Sequence, residues 1–369
     1  MDQYAVTYLP YLNMGETAEI GFGSVKIWNF DKKKDEYITD PALKAKLEKI
    51  FYTHVADGKP IAGIGIFSIG ANDFREFDDA EKAQLRIARI LLFICFVARC
   101  NLEKRGGNAG HSMATTENFD VIVQRFLMGD DHISESSGEI VHFNRFNFDI
   151  SQVTFQRPGF VPTPWRIDLD MDLAKMLLEL QASNPTEFEK IINAGEIFMQ
   201  GYYNSHYISQ NARVLLQMSA FEILLDLPEQ GQRKAFKEVI KQRTVVAGEP
   251  TFSHQSERSG GRFETEMLTK KEIWADLFYT LRNHIIHGNT PPAADFAFEN
   301  TQSHTDIAIL FFILMLRKKM EDALPKYPCY DEIKWESWND PLGHNLEGFV
   351  YHRSLRQLWE TLANQASGK

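Results

Sequence analysis

Three side chains near the middle of the second half of the chain combine properties that chemistry on a charged substrate requires. Arg282 carries a permanent positive charge that can bind an anion through two parallel hydrogen bonds. His287 has a ring that gains or loses a proton near neutral pH, and Asn283 can orient that ring or bind an oxygen. Together they predict proton transfer beside a group that stabilises negative charge.

The residues around this trio predict an amphipathic helix from Lys271 to His287. At 100° per residue, the large apolar side chains fall in one stripe that must be buried: Trp274, Leu277, Phe278, Leu281 and Ile285. Asp276, Asn283 and His287 cluster on the opposite face. The polar cluster is therefore expected to lie away from the core.

The residues that follow His287 predict where this helix ends. Gly288 is a natural residue for the position after a helix, and Pro291 and Pro292 prevent its continuation. His287 is therefore expected in the last turn, where the negative end of the helix dipole favours the imidazolium form.

The spacing of Arg282, Asn283 and His287 resembles the Arg-polar-x-x-x-His pattern of the HEPN superfamily. The preceding helix, NARVLLQMSAFEILLDL, is similar to the HEPN helix that packs beside the motif helix, with Glu222 near its middle. The details resemble the Apea-like HEPN domains at the C-terminus of bacterial defence proteins. This resemblance covers about residues 170–325 and implies a helical bundle that is often a metal-independent endoribonuclease.

The resemblance also implies how such a site would cleave RNA. His287 would transfer a proton during attack by the ribose 2′-OH, and Arg282 would stabilise the charge on the phosphorane. Five residues separate them by about 140° and roughly 7.5 Å along one helix. The family's solution is a twofold homodimer in which two copies of the motif line one cleft. Glu222, on the flank of its helix, is expected to pair with Arg282.

A local excess of basic residues lies between these two helices, although the whole chain is acidic. The predicted RNA-binding side chains are Arg233, Lys234, Lys237, Lys241, Arg258 and Arg262. A phosphate backbone would prefer such a region, whereas the alternative is a solvated basic face without function.

Two further hypotheses compete with the nuclease. The first is a non-catalytic bundle that provides dimerisation and binds a ligand or protein. The second is a metal-dependent hydrolase that uses His284 and His287, but no acidic or thiol third ligand has suitable spacing, so neither a metal site nor a cofactor is expected. His284 lies beside the apolar stripe and is predicted to be a packed histidine.

Composition limits the class of protein without naming a function. The chain has 369 residues, of which 44% are hydrophobic, and a net charge of −10, which excludes a disordered tail or a short peptide. Three cysteines without CxxC spacing support no disulfide framework, which favours a cytoplasmic location. No secretory signal is recognised, and the longest apolar runs, Ile90–Ala98 and Ile307–Leu316, are too short to cross a membrane.

The pattern of elements divides the chain into an α+β domain, residues 1–165, an all-α helical bundle, residues 166–325, and an extension, residues 326–369. In the first domain, strands are predicted at Tyr4–Tyr11, Ile20–Phe30, Phe119–Phe126 and Glu139–Phe148, with helices beginning at Asp40-Pro41 and at Asp78 or Asp79. The linker is the proline-rich segment Gln156–Trp165. This domain would sense a ligand or protein trigger for a role in antiviral or toxin-like defence, by analogy alone.

Helical spacing dominates the second domain. The predicted helices are Asp170–Gln181, Thr186–Gln200, His206–Leu227, Arg233–Gln242, Lys271–His287 and Ser303–Ala323. The segment Val246–Arg262 is predicted to be a loop. A last short helix is predicted at about His352–Gln365 in the extension.

Overall fold

A computed structural model describes residues 3–70, 74–103, 115–137, 146–159, 161, 169–202, 208–244, 251–258, 262–298, 302–324, 334–337 and 347–350. The described residues form two compact units. The first ends at Ala174 and the second begins at Lys175. The first unit is rich in strands, and the second is mainly helical.

The first unit contains an antiparallel sheet. The strands of this unit are β1 Gln3–Leu9, β2 Glu19–Phe22, β3 Val25–Asn29, β4 His54–Ala56, β5 Lys59–Pro60, β6 Gly65–Ile69, β7 Ile122–Leu127, β8 His132–Ser137, β9 Phe146–Asp149 and β10 Phe155–Gln156. Among the described residues, seven of them form one sheet in the order β2-β3-β6-β1-β7-β8-β9, and β10-β4-β5 form a smaller one. The chain reverses between β2 and β3 at Gly23, whose φ of 64° suits glycine.

The helices of the first unit are α1 Phe30–Tyr37, α2 Pro41–Tyr52 and α3 Asp79–Glu103. The predicted start of α2 is confirmed, since the Asp40 side chain accepts a hydrogen bond from the backbone N–H of Ala42 and Pro41 occupies the first turn. The predicted burial of the apolar half of α3 is also confirmed, because Ile90 to Ala98 are all buried.

The core of the first unit lies between the sheet and α2. Tyr8, Trp28 and Ile66 from the strands pack in one cluster with Leu47 and Ile50 from α2. Burial of these apolar side chains stabilises the packing of α2 on the sheet.

The second unit begins within α4 Met171–Ser183. Its other helices are α5 Pro185–Gln200, α6 Gln210–Leu224, α7 Gln232–Arg243, α8 Lys270–Ile286 and α9 His304–Ala323. Each corresponds to a predicted helix, with ends that differ by a few residues. Large aromatic rings fill the core between them, and Phe198 stacks on Phe312 at 3.9 Å between ring centroids, while Trp274 stacks on Phe311 at 4.5 Å.

Strands also occur in the second unit. Four of the six described strands lie within residues 166–325, so the prediction that this segment is all-α is wrong, although the segment is mainly helical. The six strands are β11 Phe252–Arg258, β12 Arg262–Leu268, β13 Ala297–Phe298, β14 Gln302–Ser303, β15 Lys334–Ser337 and β16 Glu347–Val350. β11 and β12 pair from Phe252 with Leu268 to Arg258 with Arg262. β11 lies within the segment Val246–Arg262 that was predicted to be a loop, so that prediction is wrong. Most residues of this hairpin are polar or charged, and ion pairs connect it to the helices. The sequence of the hairpin therefore lacks the apolar alternation by which strands are recognised.

Some predictions concern residues outside those that the structure describes. The helix at His352–Gln365 lies there, as does most of the strand Glu139–Phe148, and the linker Gln156–Trp165 is described only at residues 156–159 and 161. Within the described part of the chain, no helix has both the length and the apolar character needed to span a membrane.

Candidate functional site

Both ends of α8 are fixed by local interactions. At its start, the Thr269 hydroxyl and the Glu272 carboxylate form a reciprocal capping box. At its end, the Gly288 N–H donates to the Ile285 carbonyl and the Asn289 N–H donates to the His284 carbonyl, both at 3.0 Å. This is a Schellman motif, and Gly288 has the φ of 79° that such a position requires. The predicted end of the helix at Gly288 is confirmed.

His287 is the C-cap residue of α8 and is exposed to solvent. Its backbone N–H donates to the Asn283 carbonyl, so its main chain still follows the helix. The ring is therefore accessible to a molecule as large as a polynucleotide.

Arg282 lies on the flank of α8 that faces α6. Its Nη2 is 3.0 Å from Oε1 of Glu222, which confirms the predicted pairing. Its Nη1 donates to the Asn283 side-chain oxygen at 3.2 Å. The guanidinium also lies over the Tyr279 ring, 5.3 Å from the centroid. These three contacts fix a side chain that is 20% exposed.

Tyr279 joins this group although the sequence did not single it out. Its hydroxyl donates to Oε1 of Gln232 at 2.6 Å and lies 3.4 Å from Oε1 of Glu222. Burial raises the pKa of Tyr279 to about 12. The Glu222 carboxylate also raises this pKa, whereas the charge of Arg282 opposes the increase. The available signal was its position three residues before Arg282 on the same helix.

The helical wheel placed two residues of α8 on the wrong side. Leu277, predicted in the buried stripe, is 36% exposed, whereas Asp276, predicted on the polar face, is 1% exposed. Side chains of α7 and the hairpin cover Asp276 and supply opposite charge, which a wheel of one helix cannot represent.

Asp276 is the centre of a cluster of charged side chains. Arg233 donates to both of its oxygens, at 2.9 and 2.6 Å, His254 Nε2 lies at 3.2 Å, and Lys237 Nζ lies at 3.8 Å. Burial opposes ionisation, but the hydrogen bonds from His254 and Arg233 and the charges of Arg233 and Lys237 hold the pKa of Asp276 far below its usual value. This cluster joins α7, α8 and β11.

Most of the predicted RNA-binding side chains in α7 pair within the protein. Arg233 and Lys237 belong to the Asp276 cluster, Lys237 also contacts Glu266, and Lys241 lies 3.2 Å from Glu272. Lys234 and Arg262 are exposed, and Arg258 lies at the end of β11. Acidic side chains of β12 and α8 pair with most of the basic side chains of α7. The positive charge of this segment is therefore largely neutralised within the protein.

His284 is not packed in the core, so that prediction is wrong. Its side chain is 39% exposed, and its Nε2 lies 3.2 Å from Oε2 of Glu257 in β11. The hairpin supplies a carboxylate at this position. Within the parts of the chain that the structure describes, no group of three or more His, Cys, Asp and Glu side chains is placed to hold a metal ion.

The structure thus gathers Arg282, Asn283 and Glu222 on one flank of α8, with His287 at its exposed end. Helix geometry separates Arg282 from His287 by about 140° around the axis. One protomer can therefore hold a fixed cation and a titratable ring, but it directs them to different sides.

No protein-family model matches this sequence, and no curated protein or solved structure is similar enough to count as a match. Function must therefore be inferred from the residues themselves.

Proposed function

We propose that the second unit is a HEPN-type endoribonuclease that cleaves single-stranded RNA by attack of the ribose 2′-OH and needs no metal ion. The observation that carries this proposal is the end of α8. His287 is exposed at a Schellman-terminated helix, and five residues earlier Arg282 is oriented by Glu222. The products would be a 2′,3′-cyclic phosphate and a 5′-hydroxyl.

The roles follow from the chemistry of the groups. Arg282 stabilises the negative charge that develops on the phosphorane, and the Glu222 carboxylate keeps its guanidinium in one orientation. His287 transfers a proton, and Asn283 binds a phosphate oxygen or the ring. Because Arg282 and His287 diverge on one helix, the complete site needs a twofold dimer in which each motif helix faces its partner copy.

RNA approaches through the exposed cations Lys234 and Arg262, since most of the other basic side chains of α7 are paired internally. The first unit serves as a sensor for a ligand or protein trigger. The activity operates in the cytoplasm as part of antiviral or toxin-like defence.

The test is RNA cleavage by the full-length chain in EDTA, with Arg282→Ala and His287→Ala as variants. Both variants should lose at least about 100-fold in cleavage rate, since each removes a group that acts in the transition state. Dimer mass and helix content should stay unchanged. Toxicity on overexpression provides a second assay that does not require the trigger to be added.

A second candidate is a non-catalytic bundle for dimerisation and binding. One observation favours it, because the charge of Arg282 is already satisfied by Glu222 and the Tyr279 ring. It predicts no cleavage of any RNA by the wild type, and a cellular effect that persists in both variants.

A further inference from the structure

His284 has no role in the site described so far, yet it shares a face of α8 with His287. Residues three apart on a helix lie about 60° apart around the axis, with Cβ atoms roughly 5–6 Å apart. Arg282 is more than twice as far from His287 in angle. The nearest functional neighbour of His287 on its own helix is therefore a second histidine.

A carboxylate from another element orients the His284 ring. Oε2 of Glu257 lies 3.2 Å from Nε2, and both side chains are partly exposed, at 39% for His284 and 35% for Glu257. A neutral imidazole that donates its Nε2–H to this carboxylate carries its lone pair on Nδ1. Such a ring is arranged to accept a proton at Nδ1, in the way that a carboxylate orients the histidine of a hydrolytic triad.

The backbone of Glu257 is itself held in place by a charged side chain. Arg233 of α7 donates from Nη1 to the Glu257 carbonyl and from two other nitrogens to Asp276. Glu257 of β11 is thus the charged group that contacts His284, and His287 follows one turn later on α8. Arg233 and Asp276 are connected to this pair only through the Glu257 carbonyl. The hairpin that covers this end of α8 fixes the ring through a continuous chain of hydrogen bonds.

We propose that His284 is the general base and His287 the general acid of RNA cleavage, with Glu257 as the residue that positions His284. This inference rests on the proposed endoribonuclease function. Nδ1 of His284 takes the proton of the 2′-OH while the 2′-oxygen forms its bond to phosphorus. The bond from phosphorus to the 5′-oxygen breaks, and protonated His287 gives its proton to that oxygen.

The substrate class follows from this step. The nucleophile must be the 2′-OH adjacent to the scissile phosphate, so the substrate is RNA and never DNA. Both proton transfers come from one protomer, whereas Arg282 comes from the partner copy in the dimer, because on one helix it diverges from His287 by about 140°.

The experiment measures kcat and KM of the full-length protein on a labelled single-stranded RNA, with His284→Gln, His284→Ala and Glu257→Gln. We expect His284→Gln to lower kcat about 100-fold and to leave KM within about twofold. Glu257→Gln should lower kcat roughly tenfold and leave KM within about twofold, as expected for a residue that positions the base. Added imidazole should restore part of the activity of His284→Ala, which only a folded protein can show.

The matched control is His132→Gln in the first unit. His132 is an exposed histidine with a carboxylate partner, since its Nδ1 lies 2.7 Å from Oδ1 of Asp130. The His132→Gln variant should cleave RNA at the wild-type rate. The inference fails if His284→Gln cleaves at the wild-type rate while Arg282→Ala and His287→Ala are inactive, and the proposed function then survives. It also fails if His132→Gln loses as much activity as His284→Gln. A wild-type chain that cleaves no RNA overturns both proposals.

Discussion

Two buried polar networks, one in each unit, are built in opposite ways. In the first unit, the Tyr8 hydroxyl lies 2.6 Å from His54 Nε2 and donates to Oε1 of Gln124 at 3.0 Å, and all three side chains are fully buried and uncharged. In the second unit, the buried Asp276 carboxylate is surrounded by cations.

The difference shows what each network fixes. The neutral chain connects β1, β4 and β7 inside a core whose stability comes from apolar packing. The ionic cluster connects the β11–β12 hairpin to α7 and α8, two helices that also pack Phe236 against Trp274 in the apolar core. Charge complementarity therefore attaches the hairpin to the helix that carries the candidate site.

The largest effect is expected for Asp276→Asn. The variant keeps the shape of the side chain but leaves Arg233 and Lys237 beside a buried neutral group, so the free energy of unfolding should fall by about 3–5 kcal/mol. Urea denaturation measures this loss.

Asp322→Asn is the matched control for this prediction. Asp322 pairs with Arg243 at the surface and is 61% exposed, so its removal should cost less than about 1 kcal/mol. Equal losses in the two variants would mean that the Asp276 cluster contributes no more than a surface ion pair.

The second prediction concerns acid. Burial lowers the pKa of His54 from 6.5 to about 4. Above pH 6.5 the imidazole is neutral in both states, and as the pH falls from 6.5 to 4 only the unfolded chain takes up the proton. His54 should therefore contribute a loss of about 3 kcal/mol in the free energy of unfolding over this window and none below it.

The measurement is the free energy of unfolding between pH 7 and 4 in the wild type and in His54→Gln. His304 in the second unit has a pKa lowered to about 4 by burial, so it contributes a similar dependence. His54→Gln should reduce the loss of stability between pH 6.5 and 4 by about 3 kcal/mol, and the double variant with His304→Gln should reduce it by about twice as much. Asp276 does not contribute to the dependence between pH 7 and 4. Its pKa is lowered from the usual 3.8, so its stabilising effect is lost only as the pH falls below about 3.8. An unchanged dependence in the double variant would contradict the account.

The smallest effect is expected for Tyr8→Phe. Removing the hydroxyl leaves the buried His54 and Gln124 groups without that partner, at a cost of about 2 kcal/mol in the free energy of unfolding. The loss should be nearly independent of salt, because no charge is involved, whereas the loss in Asp276→Asn should vary with salt. The measurement is the free energy of unfolding of both variants and the wild type at increasing salt concentration. Identical salt dependences of the two losses would contradict the distinction between a neutral and an ionic network.

Sequence patterns predicted the elements whose apolar residues repeat at helical spacing and whose ends carry caps. Helix α8 is an example, since Gly288, followed by Pro291 and Pro292, located its end. The short helix α1 was not predicted, because most of its residues are polar. Strand β6 was not predicted, because glycines interrupt its apolar run. In the folded chain, β6 is stabilised by pairing with β1 and β3, and α1 is capped by the Asn29 side chain.

The candidate site was predictable only in part. Arg282 and His287 were recognised from their spacing, and Glu222 from its place on the flank of α6. The Glu257 partner of His284 and the burial of Asp276 depend on a hairpin without an apolar pattern, so no reading of single elements could find them. Charged contacts between distant elements need the folded chain.

The central claim is most directly tested by the ends of RNA fragments produced by the full-length protein in EDTA, as measured by mass spectrometry. The account predicts 2′,3′-cyclic phosphates and 5′-hydroxyls, formed by the wild type and lost in His287→Ala. Fragments with 5′-phosphates, or intact RNA under conditions in which the protein is toxic to cells, would contradict it.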